Sequence, residues 1–143
     1  MTVGLSILVQ PQYLLMYAEG NQSLKLDFAW NGEDKDPFIA ASKVAALDLS
    51  SFSKLTAKVR IVSDQPDVQA KLFLQLGGYA VWVDSGAKIA AQDGFTEFTI
   101  DLSNNSNLSP ENLKKVDAIG IQFVTPSTAG TATAYIDEII ASN

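Results

Sequence analysis

The chain has 143 residues, 47% of them hydrophobic, and a formal net charge of −6 at pH 7. That length suits one domain, residues 1–143, with a real core, and the acidic balance speaks against a nucleic-acid partner, which needs clustered Lys and Arg. Cysteine and histidine are both absent, which excludes disulfides, thiol nucleophiles and thiolate zinc sites and removes the commonest general base.

No apolar run is long enough to span a bilayer. Met1 is followed by Thr-Val-Gly rather than a basic stretch, so no signal peptide is expected either. The chain is then either cytoplasmic or a part of a larger secreted protein.

From the N-terminus, residues 5–9 and 13–17 read as strands separated by Pro11. They are unusually apolar, with Leu14, Leu15 and Met16 in a row, which predicts burial on both faces or the covering of a sheet edge. Leu24, Leu26, Phe28 and Trp30 share one face of a third strand, with Lys25 and Asp27 opposite, and Trp30 is expected in the core. Residues 38–42 form another candidate. Leu55, Ala57, Val59 and Ile61 then alternate with Thr56, Lys58 and Arg60, and Leu72, Leu74 and Leu76 alternate with Lys71, Phe73 and Gln75. Trp82 lies in a short stretch bounded by turns at Gly77-Gly78 and Ser85. Phe98, Ile100 and Leu102 face away from Glu97, Thr99 and Asp101. A helical turn is predicted over residues 109–114, with Ser109 as cap and Pro110 in the first helical position. Ile119, Ile121 and Phe123, then residues 134–140, supply the last strands. Further turn signals stand at Glu19-Gly20-Asn21, Asn31-Gly32-Glu33-Asp34, residues 64–67, Gln92-Asp93-Gly94 and residues 126–130. Eight or nine short strands at this spacing predict an all-β fold, an antiparallel two-sheet sandwich of the jelly-roll kind.

Catalysis would have to come from paired carboxylates or a Ser-Lys pair. The acids fall mostly in turns, where Asp is favoured for local hydrogen bonds, and Ser50-Ser51-Phe52-Ser53-Lys54 reads as a polar loop. Gly77-Gly78 lacks the spacing of a phosphate loop. Binding is the better expectation. Lys58, Arg60, Lys71, Phe73, Gln75 and Gln122 all lie opposite core-facing rows, and if their strands are neighbours they form one surface suited to sugar hydroxyls and ring faces. The bland alternative is a solvated sheet face. Trp82, with Tyr79 nearby, is the expected stacking residue.

Several segments resemble a family. Gly20-Asn21-Gln22-Ser23-Leu24-Lys25-Leu26, Leu47-Asp48-Leu49-Ser50-Ser51-Phe52, and Lys71-Leu72-Phe73-Leu74-Gln75 with Trp82-Val83-Asp84-Ser85-Gly86 are similar to segments of β-sandwich carbohydrate-binding modules of bacterial mannanases and endoglucanases. So are Phe98-Thr99-Ile100-Asp101-Leu102-Ser103, Ile119-Gly120-Ile121-Gln122-Phe123 and Ala134-Tyr135-Ile136-Asp137-Glu138-Ile139. The resemblance implies a jelly roll that binds single β-mannan or β-glucan chains in a groove. It also implies a covalently attached glycoside hydrolase, a secreted or cell-surface setting, and a structural calcium ion near Asp137. The family's acidic, Trp-containing opening is replaced here by the apolar residues 5–16, and Ala80 stands where an aromatic is usual. Two other readings remain at this stage. One is a structural or adhesive module that makes protein contacts through its apolar N-terminal strand. The other is a small lyase with a Lys or Tyr base.

Overall fold

A computed structural model describes residues 5–10, 13–18, 24–32 and 39–143, with backbone pairing alone for 5–10, 13–18 and 39–45. Among the described residues the strands are β1 (Leu5–Gln10), β2 (Tyr13–Ala18), β3 (Leu24–Trp30), β4 (Ile39–Leu47), β5 (Lys54–Ser63), β6 (Gln69–Leu76), β7 (Val81–Asp84), β8 (Lys88–Ile89), β9 (Thr96–Asp101), β10 (Val116–Val124) and β11 (Gly130–Ser142). Pro11, the turns at Glu19-Gly20-Asn21 and Glu33-Asp34, Gln22, Ser23 and Phe38 lie outside the described residues.

The strands form two antiparallel sheets. The six-stranded sheet has the order β1-β2-β11-β5-β9, with β3 also on β11, and the five-stranded sheet has the order β4-β10-β6-β7, with β8 also on β6. The apolar N-terminal segment is therefore a hairpin at the rim of the six-stranded sheet, where β2 pairs with Ile139, Ile140 and Ala141.

Alternation builds the core. Leu55, Ala57, Val59 and Ile61 of the six-stranded sheet face Leu72, Leu74, Leu76, Ile119, Ile121 and Phe123 of the other, and all are buried. Two register shifts adjust which residues point inward. In β10 the shift falls between Val116 and Ala118, so the inward row changes from Val116 to Ile119, Ile121 and Phe123. In β11 it falls between Ile136 and Ile139, taking the inward row from Ala134 and Ile136 to Ile139 and Ala141.

One end of the sandwich is closed by Trp30, which is buried as expected and donates its Nε1–H to the Thr128 carbonyl at 2.7 Å. Phe28 packs on Phe123 beside it, with ring centroids 4.9 Å apart. Gly32 is required there. Its φ is +77° and an added Cβ would meet the Ser127 carbonyl at 2.3 Å. At the side, Lys88 donates to the Glu97 carbonyl and lies 4.9 Å from the Phe98 ring centroid, tying β8 to β9. The predicted helical turn is a single 3-10 turn, Asn112–Lys114. Ser109 Oγ accepts from the Asn112 N–H, and Asn112 Oδ1 accepts in return from the Ser109 N–H.

Candidate functional site

The outer face of the five-stranded sheet carries most of the expected binding residues. Inward residues of β6 alternate with Gln69, Lys71, Phe73 and Gln75, which therefore point away from the core. Their cross-strand partners on β10 are small or polar: Gln75 opposes Ala118, Phe73 opposes Gly120, and Lys71 opposes Gln122. On the other side Gln75 opposes Trp82 and Phe73 opposes Asp84. Trp82 is thus a diagonal neighbour of Phe73, within reach for two aromatic side chains.

The two rings stack, with centroids 4.4 Å apart and an interplanar angle of 10°. Phe73 is only 1% exposed although it lies on the outward side of its strand. The bare backbone of Gly120 beside it and the Trp82 ring over it account for that burial. Phe73 supports the surface from beneath, and Trp82 stays partly exposed at it.

Polar groups fix the Trp82 ring. Its Nε1–H donates to Asp84 Oδ2 at 2.7 Å, and the Gly86 N–H donates to Asp84 Oδ1 at 2.8 Å. Lys71 Nζ lies 3.4 Å from Asp84 Oδ2 and 5.7 Å from the Trp82 ring centroid. Partial burial works to raise the Asp84 carboxyl, but the Trp82 and Gly86 hydrogen bonds and the Lys71 charge outweigh it and hold it below the usual carboxylate value. The edge strand breaks at Ser85, whose N–H bonds the Leu72 carbonyl and whose Oγ accepts from the Leu72 N–H. Gln122 Oε1 is buried and has no hydrogen-bond partner among the described residues.

At the hairpin between β6 and β7, Gly77, Gly78 and Tyr79 have φ values of +66°, +68° and +69°. Asp117 Oδ2 accepts from the Gly78 N–H at 2.8 Å and the Tyr79 N–H at 3.2 Å.

The expectation of one common surface needs a correction. Lys58 and Arg60 lie on β5, in the other sheet, and point outward on the opposite side of the sandwich. Arg60 donates to the Gln92 carbonyl and covers the Tyr135 ring at 5.2 Å. Lys71, Phe73, Gln75, Trp82 and Gln122 are brought together, with Tyr79 at the end of the same hairpin. Asp84 and Asp117 were not among the expected site residues. Asp84 was within reach of the period-two rule, two positions after Trp82, whereas a bulge such as that at Asp117 leaves no mark in the alternation.

Elsewhere, a depression of about 600 Å³ on the six-stranded sheet is lined by residues including Asp27, Val62, Asp64, Thr131 and Thr133. Its polar groups bond one another, Thr133 to Asp27 and the Thr131 N–H to Asp64, and Phe28, its aromatic residue, is partly buried against the core. Asp137 sits at the β11 register shift. Among the described residues no group of three or more Asp, Glu, His or Cys is placed to hold a metal ion.

Residues 14–138 match the family described as mannanase, galactose-binding domain-like. The chain belongs to that family. Comparison with curated proteins finds no match. Among solved structures, this mannanase-type domain resembles a family 28 carbohydrate-binding module specific for non-crystalline cellulose. The two share 11% identity and a TM-score of 0.59, over 99% of this chain and 82% of that one. It also resembles a protein of infectious bursal disease virus strain Gt (11% identity, TM-score 0.52, 94% of this chain and 33% of that one). A family 11 module of a Clostridium thermocellum cellulosomal cellulase aligns at 10% identity and a TM-score of 0.49, over 99% and 95% of the two chains. At these identities the first two likenesses speak to the sandwich fold of the mannanase-type domain alone.

Proposed function

We propose that the domain is a non-catalytic module that binds single β-linked polysaccharide chains, β-mannan or β-glucan, across the outer face of the five-stranded sheet. The observation that carries this reading is the Phe73–Trp82 stack, with the polar Lys71, Gln75 and Asp84 beside it. A pyranose ring has apolar C–H faces and a rim of hydroxyls. An indole held flat receives the first, and Gln75, Lys71 and Gln122 around it pair with the second. Covering roughly 80–100 Å² of apolar surface at about 25 cal/mol/Å² contributes about 2 kcal/mol. That is enough for weak, reversible attachment when several sugar units are bound.

Family membership and the sandwich shared with a cellulose-specific module support the choice of ligand class. The absence of His and Cys from the chain supports a role without chemistry. The module would act outside the cell or at its surface, attached to a glycoside hydrolase, and would raise the enzyme's effective concentration on an insoluble substrate.

Affinity gel electrophoresis against galactomannan, glucomannan, barley β-glucan and xylan tests this. Retardation by a mannan or β-glucan that is lost in Trp82→Ala is expected. No retardation by any glycan overturns the proposal and turns attention to a protein partner at the β1–β2 rim.

A further inference from the structure

We infer that Tyr79 is a second aromatic contact of the glycan site, and that Asp117 is the positioning residue that holds it there. The inference rests on the proposed function and deepens it, because it extends the site beyond Trp82 and makes binding depend on a long chain.

Three successive residues of the β6–β7 hairpin adopt left-handed backbone. Glycine does this without strain, but a bulky L-residue does not. Among the described residues Tyr79 is the only non-glycine with positive φ. Its ring does not repay that strain by burial, since it is 51% exposed. Glycine or asparagine would close the same turn at less conformational cost. An exposed aromatic kept in an unfavourable conformation points to a use outside folding.

Asp117 answers how the conformation is held. The register shift in β10 at this point leaves Asp117 without a cross-strand partner. A single oxygen, Oδ2, then takes both the Gly78 and the Tyr79 N–H. The Ala80 N–H closes the turn on the Gly77 carbonyl. Tyr79 stands three positions before Trp82, a backbone span of about 10 Å at most, which is within the reach of one linear oligosaccharide.

The test is isothermal titration of glucomannan and barley β-glucan into the full chain and its variants, with thermal unfolding of each. Tyr79→Asn relieves the strain, so Tm should stay level or rise while affinity falls about tenfold, the effect of losing one partly exposed ring. Tyr79→Phe, which keeps the ring, should recover the affinity. Asp117→Ala should weaken binding to a similar extent and add nothing in a Tyr79→Asn background, and Asp117→Asn, which keeps an acceptor oxygen, should recover it. Parent-like affinity in Tyr79→Asn overturns the inference, as do losses that multiply in the double variant. If Trp82→Ala also binds like the parent, the reading of the whole face fails. If Trp82→Ala loses binding while Tyr79→Asn keeps it, the failure is confined to Tyr79 and Asp117.

Discussion

Phe73 and Trp82 lie nearly parallel, 4.4 Å between ring centroids, with Phe73 beneath and Trp82 nearer the surface. A residue on the outward side of a strand has become buried because its neighbour lies over it. Two variants separate support from contact. Phe73→Ala should cost about 3–5 kcal/mol by leaving a cavity. Phe73→Leu should keep most of the stability yet weaken glycan retardation, because the flat support for the indole is gone. Urea unfolding beside affinity electrophoresis measures both. Full binding in Phe73→Leu would show that the stack is packing alone.

Asp84 sets a pH limit on the site. Its folded carboxyl titrates below the usual carboxylate value, so the native state gains from its ionisation. That gain is complete above the unfolded value of about 3.9 and is lost as pH falls through the lower, folded value. Trp82 fluorescence and glycan retardation should therefore hold steady from neutral pH down to about 4, then decline. Asp84→Asn should shift the Trp82 emission at every pH and abolish the acid step.

Gln122 carries a buried acceptor with no partner among the described residues. Such a group costs about 1–3 kcal/mol. Gln122→Leu should accordingly raise stability by about 1 kcal/mol while lowering affinity for the polysaccharide, a trade characteristic of binding sites. Chemical denaturation and titration together check the opposite signs. A Gln122→Leu chain that is both more stable and unimpaired in binding would remove Gln122 from the site.

On the opposite face, Lys58→Ala and Arg60→Ala should leave glycan retardation unchanged. Arg60→Ala should cost about 0.5–1 kcal/mol through the lost contact with Tyr135. A loss of binding in either variant would mean that the glycan runs across the six-stranded sheet.

The alternation of Leu55, Ala57, Val59 and Ile61, and of Leu72, Leu74 and Leu76, made both core faces legible from the sequence. It did not reveal which strands are neighbours. Period two assigns a residue to the outward side of its strand but not to a sheet, so Arg60 and Lys71 look equivalent until β5 and β6 prove to belong to different layers. Trp82 and Gln75 could be singled out from the sequence one by one, but not their placement opposite each other on β6 and β7. The burial of Phe73 was not legible, because it depends on a bare Gly120 across the ladder and on an indole arriving from another strand. The two-residue β8 is too short to carry any period at all.

β11 pairs with β2, β3 and β5 at once. Its contact with β3 joins Leu24 to Ile136, positions more than a hundred residues apart. The β1–β2 hairpin can close locally, but β3 and the other edge of β2 wait for the last strand to be synthesised before their hydrogen bonds can be met. Closing so large a loop is entropically costly and makes folding slow. During that wait the apolar β1 and β2 segments are the part of the nascent chain most in need of a chaperone.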